Sequence, residues 1–481
     1  MQNKVYNFDK LAQKTLAGER YLLLYLPWLF SLLISNNPIA SYLTAWAGSF
    51  LIFFLTLTGN IKPIPNDLTV PQQFMRPLFL TQIIFAGYMC LTSIFYFSSV
   101  LGYENFQAPV LYVPDYLELE LVAKCQRYYC LGHAAMVTGI LFFMNYERSK
   151  YSIDESSLPN FILKFAVITL PVSLLFKNNR DLSQFYNQLA ILSFTAGTLA
   201  LAYAIPKKKV FDTVICSFLY ISNLLSAMLS GFKEPVIISV LVLGIFLYPF
   251  YKKLVYVIFL PVLFFLMTVL PAYVNTFRAL MSSGTYSVEE ASTYAIENLK
   301  TQDDFDKENT NWEFLTDRLS EISMFTQYAR STPEIIDYYG FELIEQSLMS
   351  IIPRAFWPKK PVTEHLVMER VYAADVVDKE SEVSAKPQVA VDAYLSGGVI
   401  AVFITFIIYG AAAQLISVQA EKLFGGYVIG TALIYSGLFQ MFWRGLTFEF
   451  LINSVFWSIF TMLVIFKTLK VNKVLKRTYT S

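Results

Sequence analysis

The sequence predicts an all-α polytopic membrane protein, with about twelve transmembrane helices and a helical domain on its outer face. Three observations predict it. The composition is 55% hydrophobic and only 15% charged over 481 residues, with a mean hydropathy of +0.48. A soluble domain carries about 25% charged residues because its surface meets water, so lipid must be the solvent for much of this chain. The apolar residues are gathered into runs long enough to cross a bilayer. The cations between those runs alternate, rich on one side and poor on the other.

A bilayer core takes about 20 apolar residues per helix. Such stretches lie near 21–35, 39–59, 77–100, 127–146, 158–176, 187–204, 210–231, 235–250, 254–274, 392–416, 425–443 and 449–467. With the N-terminus cytoplasmic, nineteen Lys and Arg fall inside, among them Lys62, Arg76, Lys150, Lys207, Lys422, Lys473 and Arg477. The short outer loops hold six: Lys124, Arg127, Lys177, Arg180, Lys233 and Arg444. Positive charge is retained inside, so both termini are expected in the cytoplasm. Residues 1–274 then form an N-terminal bundle of about nine helices, 275–391 one large external loop, and 392–481 a C-terminal bundle of about three helices with a basic tail. The first twenty residues are polar and show no cleaved signal peptide.

The external loop is too long to be a plain connection. Its part from Ser282 to Asn311 is polar and acidic. From Trp312 to Tyr339, the apolar Leu315, Leu319, Ile322 and Phe325 recur at helical spacing. Residues 341–352 predict another short helix. The loop reads as a small helical cap on the outer membrane face.

Composition also excludes chemistry. A net charge of +1 without a basic face argues against a nucleic-acid partner. Two His and four Cys exclude most zinc and iron–sulfur sites. Cys125 and Cys130 stand five residues apart on a helix and point apart, so no disulfide is expected. No cofactor and no metal are expected: Asp303 and Asp304 lie in the acidic stretch, away from the outer cations.

Ionisable groups at a bilayer rim are functional candidates. Four places stand out. In the turn Gly231-Phe232-Lys233-Glu234, Lys233 beside a helix N-terminus would attract an anion, though such a lysine also snorkels to headgroups. In the loop helices, Arg318 precedes Glu321 by three residues, a surface pair. Arg330 precedes Ser331-Thr332-Pro333-Glu334, a helix-start signal. The third place is Ile351-Ile352-Pro353-Arg354-Ala355-Phe356-Trp357-Pro358-Lys359-Lys360-Pro361, a stiff loop that gathers Arg354, Lys359 and Lys360 beside Trp357. Arginine grips phosphate through two parallel hydrogen bonds; the same composition also anchors a chain at the membrane boundary. His365 follows and could act as a general base. Fourth, Arg444 ends the eleventh stretch and Asp392 opens the tenth, where an acid is a general-base candidate or a plain helix cap.

Cations around one outer rim suit a phosphorylated lipid. A departing diphosphate would be stabilised by fixed Arg and Lys, and Asp392 or His365 would take the proton of the acceptor hydroxyl.

Four segments resemble the Wzy-type oligosaccharide repeat-unit polymerases of bacteria, which are related to the O-antigen ligases. They are Leu229-Ser230-Gly231-Phe232-Lys233-Glu234, Ser331-Thr332-Pro333-Glu334 to Tyr338-Tyr339-Gly340, Ile352 to Pro361, and Asp392-Ala393-Tyr394-Leu395-Ser396-Gly397-Gly398-Val399-Ile400. The most specific is the Pro-Arg-x-x-Trp-Pro-x-Lys-Pro run. The likeness covers roughly residues 190–470. It implies a GT-C-like fold and metal-independent, inverting glycosyl transfer on the outer face of the cell inner membrane. The substrate would be an undecaprenyl-diphosphate-linked oligosaccharide, and a chain-length regulator a possible partner. Carried over, Arg354 would face diphosphate or sugar and Arg444 would line the same cavity. Where many relatives have Arg and Glu, this chain has Lys233 and Asp392; lysine keeps the charge but not the bidentate grip.

Three other readings stand beside polymerisation. A ligase would use the same chemistry on another acceptor. A transporter or flippase would place ionisable groups on broken helices at mid-membrane; within the spans the sequence offers Lys164 and His133. A scaffold would not need cations on one rim.

Overall fold

A computed structural model describes residues 18–108, 112–146, 149–154, 157–177, 183–229, 233–259, 261–262, 273, 276–277, 279–281, 285–301, 312–313, 315–316, 321–354, 356–380 and 385–478. It is helical almost throughout. In chain order the helices that matter are α1 (Leu26–Leu33), α2 (Pro38–Leu57), α3 (Leu80–Val100), α4 (Tyr116–Phe143), α5 (Leu158–Lys177), α6 (Ser183–Ala204), α7 (Val210–Leu229), α8 (Lys233–Leu247) and α9 (Val288–Thr301). Then come α10 (Ile322–Ser331), α11 (Glu342–Ile351), α12 (Thr363–Ala373), α13 (Val389–Leu423), α14 (Tyr427–Leu438) and α15 (Phe448–Val471).

Among the described residues, five helices are long and apolar enough to cross a membrane: α2, α3, α5, α13 and α15. Shorter apolar helices are Gln188–Ala204, Val210–Leu225 and α14. Elementary signals set their ends. Asn37 accepts from the Ala40 N–H at 3.1 Å, with Pro38 in the first turn of α2, a position where proline loses no helical hydrogen bond. Asp115 caps α4 through the Leu117 and Glu118 N–H groups.

At the centre of the fold α4 lies against α13. In lipid, helices associate where small residues let backbones meet, and three glycines do this here. A Cβ on Gly139 would stand 2.2 Å from Ile407 O, and one on Gly410 would stand 1.9 Å from Met136 O. Gly132 lets the Phe406 ring approach α4 in the same way.

Several elements differ from the sequence reading. α4 starts at Tyr116, eleven residues before the expected stretch, because Asp115 supplies the cap and Leu119, Leu121, Val122 and Ala123 already form a buried face. α13 runs from Val389 to Leu423 and is broken at Gly397 and Gly398, whose backbone angles are non-helical. The expected stretch 425–443 is not one helix: it contains a π-helical turn, Gly430–Tyr435, and a separate short turn, Met441–Arg444. Gly430 lies against the α13 backbone, where a Cβ would meet Ala420 O at 2.6 Å. The stretch 254–274 falls partly outside the described residues, as do Ser282–Gly284 and residues 302–311.

The predicted cap is helical in α10, α11 and α12. Ser331-Thr332-Pro333-Glu334, however, ends a helix and does not start one. Thr332 has extended angles (φ −113°, ψ 130°), as the residue before a proline prefers. Residues 333–340 then run as turns onto α13.

The chain reverses twice after α12. Val389 N–H donates to Gly445 O at 2.7 Å and Gln388 bridges Leu446, so α14 returns to the end where α13 began. At the other end, Lys150 N–H donates to Lys422 O. The strand Tyr151–Ser152 also pairs there, antiparallel, with Lys476–Arg477 beyond α15.

Candidate functional site

The Asp392 end of α13 collects most of the residues that the sequence singles out. Asp392 stands in the first turn of α13 and is fully buried. Its Oδ1 accepts from Arg370 Nε at 3.0 Å and its Oδ2 from Arg370 Nη2 at 3.0 Å. Oδ2 also accepts from the Phe448 N–H at 2.8 Å. Arg370, on α12, reaches Glu449 as well: Nη1 donates to Oε1 at 2.8 Å and Nη2 to Oε2 at 2.9 Å. All three side chains are buried. One guanidinium thus bridges two carboxylates and joins α12, α13 and α15 at one point. Burial pushes the Arg370 guanidinium toward the neutral form, but Asp392 and Glu449 outweigh it, and its pKa stands above the ordinary arginine value.

The cluster follows from local sequence. Val367, Met368, Arg370 and Val371 form the buried face of α12, so the arginine enters with its apolar neighbours. Glu449 is in the first turn of α15, flanked by Phe448 and Phe450, where a helix N-terminus favours an acid. Near these groups several buried polar atoms have no protein partner: Gln388 Oε1, Thr447 Oγ1 and Tyr328 OH.

The turn 332–340 closes over the glycine break. Tyr394 OH donates to Thr332 O at 2.6 Å, and Tyr339 N–H donates to Leu395 O at 2.9 Å. A Cβ on Gly398, where φ is +63°, would stand 2.9 Å from Tyr338 OH. The carbonyl released by the break is therefore satisfied by the turn 332–340, as buried backbone requires.

α11 packs against α15, with Ser350 Oγ donating to Glu449 O at 2.9 Å. The loop that follows carries Arg354, Trp357, Lys359 and Lys360. Lys360 Nζ donates to Ser350 O at 2.6 Å and Ile352 O at 2.9 Å, closing the end of α11. Burial, and then the neighbouring Arg354 charge, lower its pKa. Arg354 makes one long contact, 3.4 Å to Pro361 O. Lys359 is exposed and Trp357 half-buried.

Three of the four segments that carry the family resemblance thus meet at one end of α13, with Arg444 beside them through the Gly445–Val389 contact. The outer cations differ in what they touch. Arg330 pairs with Glu118 on α4, Lys386 with Glu364 at 3.4 Å, and Arg370 with its two acids. Among the described residues, Lys359 and the half-buried Arg444 have no side-chain partner. His365 is exposed on α12, one turn before Arg370. Arg318, the turn 230–232 and the side chain of Lys233 lie outside the described residues. The pair expected between Arg318 and Glu321 therefore involves a residue outside the described ones; Glu321 itself has left-handed angles and its Oε1 accepts from Tyr88 OH at 2.8 Å.

Sequence reasoning missed Arg370 and Glu449. The signal for Glu449 was an acid between phenylalanines at the head of an apolar run; for Arg370 it was an arginine on the apolar stripe Val367, Arg370, Val371. It also missed a second cluster at the far end of α13. There Arg76 Nε donates to Glu421 Oε1 at 3.0 Å, Nη2 to Oε2 at 2.8 Å, and Nη1 to Asp67 Oδ1 at 2.8 Å. The Arg76 guanidinium lies over the Tyr146 ring, 3.7 Å from its centroid, and Thr431 Oγ1 donates to Glu421 at 2.7 Å. Lys164 and His133 are therefore not the sole ionisable groups within the apolar helices. α13 continues to Leu423 and brings Glu421 inside. His133 is buried, 3.2 Å from Gln82.

The four cysteines are free and buried. Among the described residues, no three His, Cys, Asp or Glu are gathered as a metal would require. The chain belongs to the family described as "Domain of unknown function (DUF8712)", whose model matches residues 26–477. No curated protein and no solved structure matches it.

Proposed function

We propose that this member of the DUF8712 family is a membrane glycosyltransferase of GT-C-like architecture. It would join undecaprenyl-diphosphate-linked oligosaccharides into polysaccharide on the outer face of the cytoplasmic membrane. The observation that carries the reading is the half-buried Arg444, without a partner among the described residues, beside the fixed Asp392 end of α13. An anion site needs cations that protein acids have not already neutralised. Arg444, Arg354 and Lys359 meet that condition; Arg330 and Arg370 do not.

The chemistry asked of the protein is then mainly electrostatic. As the glycosyl bond to the diphosphate breaks, negative charge grows on the leaving oxygen, and fixed guanidinium groups stabilise it. The acceptor hydroxyl attacks the anomeric carbon and loses its proton to a base. Of the two candidates, His365 has an open ring, whereas Asp392 is held by three donors. Asp392, Arg370 and Glu449 are therefore read first as the clamp that fixes the site.

The test uses the purified protein in nanodiscs with a synthetic undecaprenyl-diphosphate oligosaccharide and no divalent metal. A ladder of repeat units, lost in Arg444→Ala, supports polymerisation. Transfer only to an added second acceptor would move the reading to a ligase. One observation favours transport: the helix break at Gly397 and Gly398 is of the kind that lines transporter sites. Lipid-linked substrate crossing a vesicle wall, with no product in any assay, would replace the enzyme by a flippase.

A further inference from the structure

Helix α11 has three distinct faces. At 3.6 residues per turn, Leu343, Ser347 and Ser350 share one face, and all are buried. Glu342 and Gln346 share a second, polar flank, and Glu345 and the half-open Met349 lie between it and the third. The third flank is apolar and uncovered: Phe341 is 78% exposed, and Ile344, Leu348 and Ile352 are also open. The following loop extends this surface with Phe356, which is 83% exposed. Water does not favour a contiguous apolar patch of this kind, so something covers it.

The patch runs into a membrane-facing surface. Trp457 on α15 donates from Nε1 to Ile351 O at 3.1 Å. Its ring packs edge-on against Phe456 and Phe460, with centroids 5.3 and 5.5 Å away. Both phenylalanines are exposed, on a helix long and apolar enough to cross a membrane. Continuity with α15 therefore names the cover as lipid. The charges agree: Arg354 and Lys359 border the apolar surface in the same loop as Trp357, the residue types that settle between acyl chains and headgroups. Glu342 stands on the other flank of α11, where water would be.

We infer that α11 and the loop 352–359 lie in the bilayer leaflet that borders the Asp392 end of α13. Phe341, Ile344, Leu348 and Phe356 sit among acyl chains, while Arg354 and Lys359 meet headgroup phosphates. The helix is an in-plane anchor of the interfacial type, held on its inner side by α15. This holds whatever reaction the site performs.

The test places a small environment-sensitive fluorophore at single introduced cysteines in the full chain, reconstituted in nanodiscs. The sites are Leu348→Cys, Phe356→Cys and Glu342→Cys. The four native cysteines are buried, and labelling of the parent protein gives the background. Two quenchers compete: phosphatidylcholine with a nitroxide near the top of its acyl chain, and aqueous iodide. Labels at 348 and 356 should be quenched several-fold more strongly by the nitroxide lipid than by iodide, with the order reversed at 342. Iodide quenching at 348 and 356 would overturn the inference. Protection of both from both quenchers would also overturn it, in favour of a second copy or a protein partner.

Discussion

At the scale of single residues the site rests on the buried bridge of Arg370 between Asp392 and Glu449. Replacing a buried charge pair by apolar groups can be neutral, but removing one partner leaves the other uncompensated. Arg370→Met should therefore destabilise the protein by about 3–5 kcal/mol, read as a lowered unfolding midpoint in detergent. Arg370→Lys should recover only part of that, because an ammonium lacks the planar fork that engages both carboxylates. Indistinguishable midpoints for Arg370→Met and the parent would remove the clamp from the argument. Arg444→Ala should behave oppositely: an unchanged midpoint, since no side chain is left unpaired, and loss of polymer product. These two arginines also mark how far the site was legible. Arg444 and Asp392 stood out because each flanks an apolar run. Arg370 did not, because its partners lie 22 and 79 residues away along the chain. Sequence likewise could not show which outer cations are neutralised, since Glu118 meets Arg330 only through the packing of α10 on α4.

At the scale of elements the fold depends on how closely α4 and α13 approach. Valine in place of Gly410 would drive its side chain into Met136 O, already 1.9 Å from the Cβ position. Backbone cannot yield as a flexible side chain can, so the helices must separate. Gly410→Val should abolish the monodisperse peak in size-exclusion chromatography. Gly197→Ala, on α6, should leave the peak intact, because its nearest neighbour stands 4.0 Å away. A normal peak for Gly410→Val would mean that the close approach is dispensable. The helices themselves were legible because lipid demands long apolar runs, and their ends because Asn37 and Asp115 are plain caps. The interruptions in α13 and α14 were not, because the apolar pattern continues through them. A helix break at Gly397 and Gly398 becomes acceptable only when Tyr339 and Tyr338 arrive from 55 residues or more earlier to satisfy and cover it.

At the scale of the whole molecule, the two ion clusters mark the two ends of α13, and the returning chain fixes how the ends relate. α13 leaves the Asp392 end, and Arg444 comes back to it, as the Val389–Gly445 hydrogen bond records. α15 then departs from the same end and finishes where Lys476 and Arg477 pair with Tyr151 and Ser152, beside Lys422. Three apolar segments thus separate the loop that carries Lys359 from the residues after α15, although α14 alone is short and irregular. Cations sort with the same ends. Lys62, Arg76, Lys150, Lys422 and Arg477 gather at one, with Lys62 Nζ donating to Leu141 O at 2.7 Å; Lys124, Arg127, Arg330 and Arg370 gather at the other. The first set is the one that the positive-inside rule retains in the cytoplasm. Lys359→Cys should therefore react with a membrane-impermeant maleimide in intact cells, and Lys473→Cys only after permeabilisation. The reverse pattern would keep three passes and invert the protein, moving the Arg444 rim to the cytoplasm and with it any claim to act on an outward-facing lipid. Labelling of both from one side would require an even number of passes. α14 would then not cross at all, and its return to Val389 would have to occur within one leaflet, where its π-helical backbone would need protein or water on every side.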